Sequence, residues 1–217
     1  MPVKPFIFKS EDEAVRKLRE FSANLKVPQR DFNKSQIIEF SIQSNIFRAL
    51  PLKKVKPSEL YRRWADSNFS SLIKNMSKIE RKDSFAEMLF SYAEDLISYW
   101  HKNTYTNSEK IGYGPAIKII NLLIKAIQET SYHQKTIWRF QHVPFDYYTL
   151  LLLRRIINDI SNLQYKITVP ASPSMSFIGN KESYLIFMDV IFRLSKKARI
   201  HPIVYDYWAW NKTHNSN

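Results

Sequence analysis

Apolar residues return every three or four positions along most of the chain, and strand-like alternation is rare. That period is the mark of helices with one buried face, so the pattern predicts an all-α protein. Val15, Leu18 and Leu25 form the apolar face of a first helix, with Ser10 as N-cap and Glu13 completing a capping box. "NKSQIIEFSIQSNIFRAL" predicts a second helix, closed by Pro51. "KPSELYRRWADSNFSSLIKNM" predicts one or two short helices entered through Pro57. Phe85, Leu89, Ala93, Leu96, Ile97 and Trp100 share a stripe on the next helix, which Asp83 is expected to cap. The polar turn "NTYTNSEKIGYG" leads into a helix from Pro115 to about Glu129. A segment without clear period then reaches Asp146 and a very apolar helix, Tyr147 to Leu163, whose run Leu150 to Leu153 predicts a central position. Two further helices are expected, Lys181 to about Ala198 and a short one after Pro202 ending near Asn211, before a frayed "KTHNSN".

Composition adds limits. Hydrophobic residues make up 44% of the 217, enough for a packed core and against a disordered chain. The absence of cysteine excludes a disulfide scaffold and a thiolate metal site, and the scattered histidines give no zinc motif. No apolar stretch is long enough to span a bilayer and no signal-peptide core is visible, so a soluble cytoplasmic protein is expected. The net charge of +13 points to a polyanionic partner, or to the lysine-rich composition that AT-rich genomes impose. Candidate phosphate contacts are Lys53, Lys54 and Lys56, Arg62 and Arg63, and Arg193, Lys196, Lys197 and Arg199; each cluster is otherwise a solvated face.

Two of the three glycines, Gly112 and Gly114, stand directly before the helix that carries Lys118 and Lys125. Glycine supplies positive φ for a tight turn and lets a bulky partner approach the backbone. Free N–H groups there would cradle a DNA phosphate, as in a helix-hairpin-helix element; the alternative is a plain turn. Lys118 and Lys125, seven residues apart, lie on one helix face with Asn121 and Gln128. That stripe is either a solvated polar face or a working one. Asp146 in "HVPFD" is a helix N-cap by position, and also a carboxylate held rigidly.

These pieces, in this order, resemble the helix-hairpin-helix DNA glycosylase superfamily, where a Gly-rich hairpin precedes a helix with a catalytic lysine and a V-P-x-D segment supplies an aspartate. The lysine usually lies two residues after the second glycine, whereas Lys118 lies four after Gly114. The chain is more similar to the archaeal GO (8-oxoguanine) glycosylase branch, in which a second lysine follows seven residues on and a C-terminal aspartate precedes a tryptophan by four. "DYWAW" supplies Asp206 and Trp210 at that spacing. The resemblance runs from about Lys102 to Asn211 and does not extend to the N-terminal half. There the family's base-contacting tryptophan has Trp64 as a candidate, and its glutamine has Gln29, Gln36 or Gln43.

The resemblance implies two helical subdomains, about 1–82 and 83–169, flanking a cleft that helices in 180–211 complete. It implies a base-excision repair enzyme that flips a damaged purine out of double-stranded DNA. Neutral Lys118 would attack C1′, Asp146 would stabilise the developing sugar charge, and Lys125, Asp206, Trp210 and Trp64 would hold the base. A free lysine has a pKa of ~10.4, so its surroundings would have to favour the neutral amine. The resulting Schiff base allows β-elimination, hence AP lyase activity, with no metal or organic cofactor. A monomer is expected. Two alternatives remain: a DNA-binding module on the same fold without catalysis, and an all-α interaction protein whose charge reflects composition.

Overall fold

The computed structural model describes residues 8–42, 46–50, 55–104, 110–159 and 169–214. Gln43, Lys53, Lys54 and positions 105–109 of the expected hairpin lie outside them. The helices in chain order are α1 (Glu11–Asn24), α2 (Lys34–Ile42), α3 (Ile46–Ala49), α4 (Pro57–Met76), α5 (Lys82–Lys102), α6 (Tyr113–Gln128), α7 (Tyr147–Asp159), α8 (Lys181–Ala198) and α9 (Val204–His214). Among the described residues the only β pairing is an isolated bridge, Arg30 with Thr130. The fold is all-α. No helix among the described residues is long and apolar enough to cross a membrane.

Local chemistry explains several of the helix starts. Ser10 Oγ accepts from the Glu13 N–H at 3.2 Å, the expected cap. Glu13 reaches back to the Lys9 N–H at 2.8 Å rather than to that of Ser10, so the box closes one residue further out. Pro57, at the first position of α4, costs no hydrogen bond, and α4 runs as one helix rather than two. Asp83 is not the cap of α5: Arg81 precedes the helix, and Asp83 lies inside its first turn, where a negative charge suits the helix dipole. Asn180 and Ser183 form a reciprocal capping box at α8, which spans the expected residues.

The chain divides into two compact units, one of Met1–Lys26 with Gln141–Asn217 and one of Val27–Phe140. The division does not follow the expected 82/83 boundary, because α4 and α5, on either side of it, pack together. In the first unit α1 packs on α8 and α9, and α7 on α9. Trp208, Tyr184 and Tyr205 are its largest fully buried side chains.

In the second unit α6 packs on α5 and α2, and α4 packs on α2 and α5. His101 at the end of α5 is tied to the Ile111 carbonyl just before α6 at 3.2 Å. Arg30 fastens the chain leaving the unit boundary to the far end of α6. Its Nε donates to Glu129 Oε2 at 3.1 Å, and its guanidinium lies 4.4 Å from the Phe40 ring centre. The expectation of a central α7 needs qualifying. Leu150, Leu152 and Leu153 are buried but Leu151 is half-exposed, whereas α6 buries residues on every side, from Ile117 through Ile127.

Candidate active site

Gly112 is the N-cap of α6, and Gly114 lies inside the first turn, so the helix starts two residues before the expected Pro115. Neither glycine has positive φ; Gly112 is extended, with φ −84° and ψ 170°. The expected left-handed turn is therefore absent at these two positions, since a helix N-cap needs only extended backbone. A Cβ at Gly112 would meet only Pro115 Cδ, at an ordinary 3.8 Å. The fold places no steric demand for glycine there, and the residue is exposed at the helix's positive end.

The polar stripe of α6 is not a solvated face. Lys118 retains 6% of its exposure, Asn121 and Gln128 are fully buried, and Lys125 is half-buried. Asn121 Nδ2 donates to the Ile117 carbonyl at 3.0 Å, and Gln128 Oε1 accepts from the Gln134 N–H at 3.2 Å. A lysine is almost never this deeply buried without a specific reason. A nucleophilic lysine must be reachable as the neutral amine, and removal from water is one physical route to that. Lys118 meets the burial half of the requirement.

Asp146 is buried and caps α7. Its Oδ1 accepts from the Thr149 N–H at 2.9 Å and from the Thr149 hydroxyl at 3.1 Å. In return Thr149 Oγ1 accepts from the Asp146 N–H at 2.7 Å. The pair is a capping box built from Asp-x-x-Thr, legible in the sequence once Thr149 is read with Asp146. It fixes the carboxylate's orientation from both ends.

Helix α9 brings the C-terminal candidates to this place. Tyr205, which the sequence did not mark, is fully buried and donates its hydroxyl to the Thr149 carbonyl at 3.2 Å. Burial pushes the Tyr205 phenol well above its ordinary range, and the nearby negative charge of Asp146 adds to this. Asp206, in the first turn of α9, is 1% exposed, while Trp210 keeps 39% of its surface and sets its ring edge-on to Tyr148, centroids 5.0 Å apart. Asp146, Asp206 and Trp210 thus belong to the first unit, and Gly112, Gly114, Lys118 and Lys125 to the second.

Tyr61 in the second unit is the counterpart of Tyr205. Burial raises its pKa above the tyrosine range, only partly offset by its hydrogen bond with Ser41 at 2.8 Å. Both phenols are neutral when folded and ionise at ~10 when unfolded, so their stabilising contribution is intact below that pH and is lost above it. Urea unfolding followed from pH 9 to 11 should show stability falling by up to about 1.4 kcal/mol per pH unit for each tyrosine. Tyr61→Phe and Tyr205→Phe should each make that fall shallower; an unchanged slope in both would contradict the assignment.

Trp64 sits in the core of the second unit. It is 1% exposed, stacks against Tyr61, meets Tyr92 edge-on and donates its indole N–H to Asp95 Oδ2 at 2.7 Å. This is the environment of a packing residue rather than of a wall awaiting a base. Trp64→Ala should lose about 3–5 kcal/mol of unfolding free energy. A variant of unchanged melting temperature but weakened DNA binding would restore it as a binding residue. Gln29 is exposed, and Gln36 Oε1 accepts from the Asn33 N–H at 2.9 Å.

The basic clusters divide by their partners. Arg62 is paired with Glu39, and Arg193 and Lys197 with Glu11. Lys56, Arg63, Lys196 and Arg199 are exposed and carry no ion pair among the described residues. No known protein family, curated protein or solved structure matches this chain.

Proposed function

We propose that the protein is a DNA glycosylase with AP lyase activity that excises an oxidised purine, 8-oxoguanine, from double-stranded DNA. The observation that carries this reading is the burial of Lys118 along a helix face where lysines are ordinarily solvated. Three other features support it. The N-terminus of α6 has an exposed glycine whose Cβ-free backbone is open to a phosphate. Asp146 is fixed by a reciprocal cap. Asp206 and Trp210 lie one helical turn apart on α9, the latter with exposed ring surface beside Tyr148.

In this reading α5 and α6 form a helix-hairpin-helix element on a cleft, and Gly112 and Gly114 offer backbone N–H groups to the DNA. The neutral Lys118 amine attacks C1′ of the flipped nucleotide. The N-glycosidic bond breaks, its electron pair leaves with the base, and the base is protonated. Asp146 stabilises positive charge developing on the sugar and accepts the proton that Lys118 releases. Opening of the sugar gives an iminium on Lys118, and β-elimination then releases the 3′ strand. Asp206 accepts a hydrogen bond from the N7–H that distinguishes 8-oxoguanine from guanine, Lys125 orients the base, and Trp210 supplies apolar wall. No metal or organic cofactor enters this mechanism.

One observation favours a second reading, a non-catalytic or differently specialised DNA-binding protein of the same fold: Asp146 already has a full structural duty as the cap of α7. Borohydride trapping on a duplex containing one 8-oxoguanine separates the two. A covalent protein–DNA adduct supports the glycosylase–lyase. Tight duplex binding without any adduct rejects the Schiff-base mechanism.

A further inference from the structure

Arg199 is the one non-glycine residue with positive φ among the described residues, at φ 59° and ψ 46°. It closes α8 in a Schellman turn: its N–H donates to the Lys196 carbonyl at 3.2 Å, and the Ile200 N–H to the Ser195 carbonyl at 3.0 Å. Glycine or asparagine ordinarily takes that position, because a Cβ in the left-handed region crowds the carbonyl oxygen. The turn needs the backbone conformation, not an arginine. A long cationic side chain on a strained residue points to a use for the side chain.

Its surroundings supply that use. Arg19, Lys197 and Arg199, with Ser22, line an open hollow of about 580 Å³ whose wall contains no acidic residue. The C-terminal end of a helix is its negative pole and would by itself repel an anion. Here Arg19 covers that pole, donating from Nε to the Ala198 carbonyl at 3.3 Å and from Nη2 to that of Lys197 at 3.0 Å. A guanidinium has five N–H donors, so Arg19 keeps donors to spare. Lys197 shares Glu11 with Arg193, at 2.6 and 2.9 Å, so one carboxylate faces two cations and a net positive charge remains. The Arg199 guanidinium and the Ser22 hydroxyl have no hydrogen-bond partner among the described residues.

We infer that this hollow at the end of α8, in the first unit, holds a phosphodiester of a nucleic-acid backbone, with Arg199 as its principal ligand, Arg19 and Lys197 adding charge and Ser22 a hydroxyl donor. Planar guanidinium forks match phosphate oxygens bidentately, and the chain's net charge of +13 suits a polyanionic backbone. The inference rests on the proposed function only for the source of the phosphate, and needs no chemistry on a base. The site would anchor backbone without reading sequence.

The test is fluorescence-anisotropy binding of an undamaged duplex across a salt series, with thermal unfolding of the same variants. Arg199→Gly should weaken duplex binding about five- to tenfold at low salt and flatten the log–log salt dependence by about 0.9. The same variant should melt about 2–4 °C higher, because the strain is relieved. Arg199→Lys, which keeps the charge and the strain, should restore most of the salt slope. An unchanged affinity and slope in Arg199→Gly overturns the site, as does absence of salt-dependent duplex binding by the wild type. A lowered melting temperature together with weakened binding assigns Arg199 to structure and overturns it too. With poly-glutamate as a second labelled probe, a loss of binding in Arg199→Gly that the duplex does not share replaces the nucleic acid with an acidic protein partner and overturns the site. Because the probe carries no lesion, failure here leaves the borohydride result standing, and failure of trapping leaves this site standing.

Discussion

Lys118→Gln should give no borohydride-trapped adduct with the 8-oxoguanine duplex, and base release should fall on the order of 10³-fold or more. Glutamine keeps a polar chain of similar reach but has no amine, so no iminium can form for borohydride to reduce. The site is deep in α6, with Ile117, Ile119 and Ile120 buried beside it, so the comparison requires a folded variant. Melting temperature and undamaged-duplex affinity close to wild type establish that. Lys125→Gln is the companion: it lies two helical turns on and is half-buried, and its loss should weaken lesion recognition while the adduct still forms. An adduct that survives in Lys118→Gln and disappears in Lys125→Gln would exchange their roles. One that survives in both would move the nucleophile elsewhere.

Asp146→Asn should cut adduct formation by about 10²- to 10⁴-fold while leaving the fold nearly as stable as wild type. Asparagine is as good an N-cap as aspartate, so its side-chain oxygen can still accept from the Thr149 N–H that Asp146 now holds at 2.9 Å. What it removes is the negative charge. Asp146→Ala removes both, and should add a loss of about 0.5–2 kcal/mol in stability because a buried N–H loses its acceptor. The pair of variants therefore separates the two duties of one carboxylate. An Asn variant of full activity would reduce Asp146 to a cap and favour the DNA-binding module. The Tyr205 phenol gives an internal check, since the Asn variant should lower its raised pKa while burial still holds it above the ordinary range.

The reach of sequence reasoning differs from residue to residue. The start of α8 is legible because Asn180 caps it with a local hydrogen bond that needs nothing distant. The same locality makes Asp146 readable as a cap. Asp83 misleads because a good capping residue one or two positions inside a helix looks the same in one dimension. Gly112 and Gly114 suggest a left-handed turn, but both take ordinary negative φ, for glycine permits positive φ without requiring it. The sequence leaves Trp64 open between core and binding roles. Its burial against Tyr61 and Tyr92 depends on neighbours that no local pattern announces.

Short-range periodicity and capping are written in the sequence, and they suffice for an all-α chain, the starts of several helices and a lysine stripe on α6, although the single helix expected from Asn33 to Leu50 is found as α2 and α3. How that stripe is used is a matter of tertiary packing. Periodicity reports which residues share a face, but burial depends on what packs there. A pattern fitting a solvated lysine row thus became a buried Lys118, on a helix that packs against α2 and α5. The same limit hid the compact unit that joins α1 to α7, α8 and α9 across more than a hundred intervening residues. It also hid the strained Arg199, whose neighbours Arg19 and Ser22 come from the other end of the chain. Such contacts are fixed by the free energy of burying distant apolar surfaces together, and no window of sequence contains both surfaces.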